Sequence, residues 1–162
     1  MFESRQAGEV RDALARHGCR YLFIGKSGAI ILGFPDTTQD TDLFPEKSPE
    51  NGRRLAAALR ELGFALTPEQ EKDIERGKDF VQLRNGPFDI DLVFAPDGIE
   101  RFGDAWARRV EVDGFPVCSI DDIIASKEAS GRKKDHESLD RLRAFREYLR
   151  LRGPGPHRPP AG

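Results

Sequence analysis

The chain has 162 residues, 38% hydrophobic and 33% charged, which suits one folded domain with a buried core. Its formal charge of −2 argues against a surface that binds nucleic acid indiscriminately through phosphate neutralisation, and leaves only a local basic groove open. No stretch is apolar and long enough to cross a membrane, and Met1 to Val10 lacks the basic-then-apolar layout of a secretory leader, so the expected location is the cytoplasm.

In chain order, residues 6–16 have helical spacing, with Val10, Leu14 and Ala13 facing inward and Gly18 as the stop. Cys19 follows, and like Cys118 it borders an apolar run and reads as a buried thiol, not as part of a metal or disulfide framework. Residues 21–24 form a short apolar strand bounded by Gly25. Residues 27–32 read as helix, closed by Gly33 and Pro35, and residues 41–44 alternate as a strand does. Ser48-Pro49-Glu50 opens a helix that runs to about Leu62 and stops at Gly63. A brief strand is expected at 64–66, and Thr67 with Gln70 forms a capping box for the next helix.

Two strands, 80–83 and 88–94, flank Asn85-Gly86, a hairpin signal. A second hairpin pairs 109–112 with 115–117 around Asp113-Gly114. Ser119 caps a helix from Ile120 to about Gly131, and a last helix runs from about Asp135 to Leu151. The fold expected is α+β: a mixed twisted sheet with helices packed on it and a C-terminal helix pair, over residues 1–152. The Gly- and Pro-rich stretch 153–162 is expected to be a disordered tail.

The chemistry concentrates in carboxylates. Asp40 and Asp42 flank Thr41, and side chains two apart on a strand share a face. Two like charges that close repel, and burying both is costly unless a cation joins them. Hard divalent cations prefer such oxygens. Asp89 and Asp91 repeat the spacing on a second expected strand, and two such pairs side by side would suit two metals. An isolated D-x-D pair is otherwise the wet face of an edge strand.

Gly25-Lys26-Ser27-Gly28 lies between a strand and a helix, where small residues and free amides favour an anion. The G-K-S triplet invites a P-loop reading, but Arg20 stands where that motif needs its first glycine. His17 and His136 read as surface helix residues, His157 falls in the tail, and no histidine is assigned a metal or catalytic role.

The run from Gly25 to Leu43, G-K-S-G-A-I-I-L-G-F-P-D-T-T-Q-D-T-D-L, resembles the DNA polymerase beta-like nucleotidyltransferase superfamily, particularly its small prokaryotic members, many of which read G-x-P-R-x-T-x-D-x-D-L. Gly33, Pro35, Thr38, Asp40, Asp42 and Leu43 match that pattern. Ser119 to Asp135 is similar to the closing helix pair of such proteins, including the toxin-like AbiEii group. Lys26 departs from the small residue usual at its position, and Asp36 stands where many relatives carry arginine.

The resemblance implies a nucleotidyltransferase-like fold and an enzyme that moves a nucleoside monophosphate from a nucleoside triphosphate, such as ATP, to a hydroxyl. It makes Asp40, Asp42 and Asp91 the catalytic and metal-binding acids, with Mg2+ or Mn2+ as cofactor, and Asp91 preferred to Asp89 because it precedes the apolar run Leu92-Val93-Phe94. Gly25, Lys26, Ser27, Thr38 and Lys127 are the expected nucleotide-binding residues, and Gly131-Arg132-Lys133-Lys134 is a basic turn that would face acceptor or nucleotide, or simply water. Relatives modify small molecules, proteins or tRNA ends, so the acceptor stays open. The alternative is a catalytically degenerate nucleotide-binding module, or one half of a toxin–antitoxin pair with an antitoxin protein as partner.

Overall fold

The computed structural model describes residues 4–131 and 135–152. The expected tail at 153–162, the basic residues 132–134 and the side chains of His136 and His157 lie outside the described residues.

The first helix, α1 (Ser4–Arg16), is amphipathic and buries Val10, Ala13 and Leu14 completely. Strand β1 (Tyr21–Phe23) is buried throughout, and α2 (Gly25–Ile31) follows it after one residue. Strand β2 (Thr41–Pro45) leads to α3 (Pro49–Glu61), where the Ser48 hydroxyl accepts from the Asn51 amide and Pro49 takes the first turn. Helix α4 (Pro68–Arg76) carries the full Thr67–Gln70 capping box. Strands β3 (Phe80–Leu83) and β4 (Ile90–Val93), helix α5 (Phe102–Ala107), strands β5 (Val110–Val112) and β6 (Phe115–Val117), and helices α6 (Ile120–Ser130) and α7 (Asp135–Arg152) complete the described chain.

The strands form one six-stranded sheet in the order β3-β4-β2-β1-β6-β5. Neighbours β1/β6 and β2/β4 are parallel, while β1/β2, β3/β4 and β5/β6 are antiparallel, so the sheet is mixed, as expected. Six of the described helices fall into two groups that touch chiefly among themselves: α1, α3 and α4, and α2, α6 and α7. Asn51 ties the first group to the sheet. Its amide accepts from the Arg20 N–H at 2.8 Å and donates to the carbonyls of Arg20 and Glu46 at 2.9 and 2.8 Å. No described helix is long and apolar enough to cross a membrane.

Several expectations need correction. Residues 64–66 form no strand: the Phe64 N–H closes the end of α3 on the Leu59 carbonyl, and the Ala65 carbonyl accepts from the Asn85 side chain, so their backbone bonds go elsewhere than a ladder. The expected strand 88–94 shrinks to β4, because the connection from Arg84 to Asp89 is wider than the tight turn that Asn85-Gly86 suggested. Asp89 therefore stands just before its strand, as Asp40 does before β2. Helix α2 begins at Gly25, not at Ser27, and α5 was not foreseen. Cys118 is buried, but Cys19 is only partly so. The Asp113-Gly114 turn is as expected: both residues have positive φ, 49° and 81°, and Val112 pairs directly with Phe115.

Candidate functional site

The two acid-bearing segments meet inside the sheet, where β4 and β2 are neighbours. Strands β2 and β4 run parallel with Asp42 directly opposite Asp91. The Thr41 N–H bonds the Asp89 carbonyl at 3.2 Å, which carries the pairing back to the two outlying acids. Asp91 is buried at 7% exposure. The Asp40 and Asp89 side chains are more open, at 36% and 42%. Four carboxylates from two sequence motifs thus line one end of two adjacent strands.

The glycine turn packs directly on them. Gly25 has φ +65°, and a Cβ there would lie 2.4 Å from Asp42 Oδ2. Only glycine allows backbone this close to the carboxylate in this conformation. The Ser27 hydroxyl donates to the Ile24 carbonyl at 3.1 Å and accepts from the Asp42 N–H at 3.0 Å, while the Ile24 N–H donates to the Asp42 carbonyl at 3.0 Å. Ser27 is therefore a buried staple between turn and strand, its hydroxyl fully engaged. No side chain caps the first turn of α2.

The electrostatics follow from this crowding. Burial, then repulsion from Asp91 and Asp40, pushes the Asp42 carboxyl up to about 8, and the charge of Lys127 opposes that rise. Burial also raises Asp91, against the pull of Arg84. Asp42 and Asp91 share a hydrogen bond, so the metal-free pair holds a proton far above the ordinary carboxylate range. Lys127 reaches this field because α6 packs against α2.

Arg84 escaped the sequence reading. Its Nη2 donates to Asp91 Oδ1 at 2.8 Å and stands 3.7 Å from Asp40 Oδ1, and its Nε is 3.9 Å from Asp89 Oδ2. The one signal was its place at the mouth of a hairpin whose other arm carries Asp89 and Asp91.

The two residues that depart from the family pattern meet each other. Lys26 Nζ lies 3.4 Å from Asp36 Oδ2, and Arg141 Nη1 lies 3.1 Å from the same oxygen. The Thr37 N–H, then Lys26 and Arg141, hold Asp36 below the usual carboxylate range. Arg141 also donates to the Pro35 carbonyl at 2.9 Å and stacks over Phe34, on the rim of a cavity of about 460 Å³ lined with Phe145 and Tyr148. The Thr38 hydroxyl accepts from the Asp40 N–H at 3.4 Å and so shapes the approach to the strand.

The structure thus brings Asp40, Asp42, Asp91, Gly25 and Ser27 together, sets Lys127 within electrostatic reach of Asp42, and turns Lys26 toward Asp36. Among the described residues, no group of three or more candidate ligands stands at metal-binding spacing. The oxygen donors nonetheless suit a hard divalent cation. The Arg84 guanidinium offsets part of their charge.

No protein-family model matches the chain, and no curated protein matches it. Among solved structures, it is similar to a crystal structure at 1.87 Å of a Thermotoga maritima protein provisionally named a nucleotidyltransferase. The identity is 16%, the coverage 91% of this chain and 92% of that one, and the TM-score 0.48. A likeness that loose carries no conclusion about activity.

Proposed function

We propose that the chain is a metal-dependent nucleotidyltransferase that moves a nucleoside monophosphate from a nucleoside triphosphate to a hydroxyl acceptor. The observation that supports it is the facing pair Asp42 and Asp91 on adjacent parallel strands, with the Gly25 backbone seated on the Asp42 carboxylate.

Asp40, Asp42 and Asp91 would hold Mg2+ or Mn2+. Bound there, the metal supplies positive charge for the triphosphate and lowers the pKa of the acceptor hydroxyl. The chain's own groups do the rest. The partly buried Asp42 and the buried Asp91 give up their shared proton and present oxygens from a fixed register. The amides of Lys26 and Ser27 and the Lys127 ammonium orient the phosphates, with Lys26 available once it leaves Asp36. A bond forms between the acceptor oxygen and the α-phosphorus, the bond from that phosphorus to the bridging oxygen breaks, and pyrophosphate departs. The hydroxyl proton passes to solvent or to a carboxylate. Positioning and charge stabilisation are the whole of the protein's task in such a transfer.

A second reading has its own observation: Lys26 is engaged by Asp36 and the acids by Arg84, as in a module that binds nucleotide without turning it over. One experiment separates the two. Each labelled nucleoside triphosphate is supplied with Mg2+ or Mn2+, and pyrophosphate release and label transfer are measured for wild type, Asp42→Asn and Asp91→Asn. Turnover in wild type that is lost in both variants supports the enzyme. Thermal stabilisation by nucleotide with no turnover supports the binder, and equal turnover in all three proteins rejects the site.

A further inference from the structure

We propose that Arg84 is a built-in counter-cation that competes with divalent metal for Asp40 and Asp91: it holds the acids together when metal is absent and must withdraw when metal arrives. This rests on the metal-dependent reading above.

The geometry sets up the competition. Arg84 Nη2 bonds Asp91 Oδ1 at 2.8 Å and faces Asp40 Oδ1 at 3.7 Å, with Nε 3.9 Å from Asp89 Oδ2. One permanent positive charge thus faces three carboxylates from two motifs. A hard cation needs carboxylate oxygens at about 2–2.5 Å. A guanidinium and a metal drawn to the same oxygens repel, so one must yield. Arg84 holds the outer position, since its side chain is 40% exposed while that of Asp91 is 10% exposed. Its remaining bonds, from Nη1 to the carbonyls of Leu83 and Ile90, are long at 3.4 Å. It stands at the end of β3, on the connection leading to Asp89, so its release disturbs no strand pairing.

The test is Mn2+ binding to the full chain, by calorimetry without nucleotide, for wild type, Arg84→Lys and Arg84→Gln. Removing a charged hydrogen bond from the metal's ligands should tighten Mn2+ about tenfold in Arg84→Gln. Arg84→Lys, which keeps the charge and loses the fork, should fall between. A residue that merely stabilised the fold would lower the melting temperature and leave Mn2+ affinity unchanged, and that result overturns the proposal. In wild type, the Arg84 Nε–H resonance should shift on Mg2+ addition. No shift at saturating Mg2+ also overturns it, whether or not the variants fold. If no protein binds Mn2+, the metal reading itself fails and takes the inference with it. If all bind alike, the metal reading stands and only the role of Arg84 falls.

Discussion

Asp91 and Asp122 are both buried to 7% exposure, and each bonds an arginine that reaches in from the surface. Their surroundings differ. Asp122 sits in the first turn of α6, where the helix dipole favours a negative charge, and its two oxygens accept from Arg108 Nε at 3.2 and 3.0 Å. One acid meets one base. Asp91 faces Asp42 across two strands and shares Arg84 with Asp40 and Asp89. Three carboxylates there meet one guanidinium, and Asp42 feels the charge of Lys127. A buried acid with a matched partner holds a fold together. A buried acid with surplus neighbours costs stability, and a bound cation would recover that cost.

The sharpest way to probe the crowded end is through the backbone that crowds it. Gly25→Ala places a methyl 2.4 Å from Asp42 Oδ2 in a left-handed conformation, so the carboxylate must move. A shift of about 1 Å in a reacting group costs on the order of 100-fold, and that loss of transfer rate is the expected outcome. Gly18 has a similar φ, +66°, with nothing near its missing Cβ. Gly18→Ala should cost only about 1–2 kcal/mol of stability and leave the rate intact. Equal rate losses in the two variants would break the link between Gly25 and Asp42.

Stability should separate the matched acid Asp122 from Asp42, the crowded neighbour of Asp91. Asp122→Asn removes the charge from a matched pair and should lose about 1–2 kcal/mol in urea unfolding, the smaller end because Arg108 is half exposed. Asp42→Asn should lose nothing at neutral pH. The sign follows from the raised carboxyl: the folded chain holds this proton more tightly than the unfolded one, whose value is near 3.8. Stability is complete below that value and declines as pH climbs toward about 8. Metal-free wild type should therefore melt at falling temperatures across that window, and Asp42→Asn should flatten the profile. A wild-type profile as flat as that of Asp42→Asn contradicts the crowding.

The smallest effect belongs to the rim. A double-mutant cycle on Lys26→Ala and Asp36→Ala should give a coupling of about 0.2–1 kcal/mol in thermal unfolding, as a partly exposed pair allows. A coupling of zero would mean that the two departures from the family pattern do not compensate each other.

The local signals were legible. Ser48-Pro49, Thr67 with Gln70, Ser119 and the Asp113-Gly114 turn each act through bonds to near neighbours, and each appears where the sequence places it. The segment 64–66 misled because an apolar run beside a helix stop looks like a strand until its backbone partners are known. Phe102 to Ala107 has no capping side chain and a glycine within it, so α5 left no local mark. The Asn85-Gly86 signal was real as a turn, but Asn85 spends its side chain on the Ala65 carbonyl and the loop opens wider.

By itself the sequence determined an α+β chain whose acids and glycine turn belong together. Periodicity, capping and D-x-D spacing depend only on residues a few positions apart. The tertiary structure decided which acid faces which, because parallel register across β2 and β4 is set by strand order and core packing. It also decided that Lys26, Asp36 and Arg141 meet although 105 residues separate the last two, and that Arg84 lies among the acids. Long-range ion pairs have no spacing to read, since charges find one another only after the sheet has brought their strands side by side.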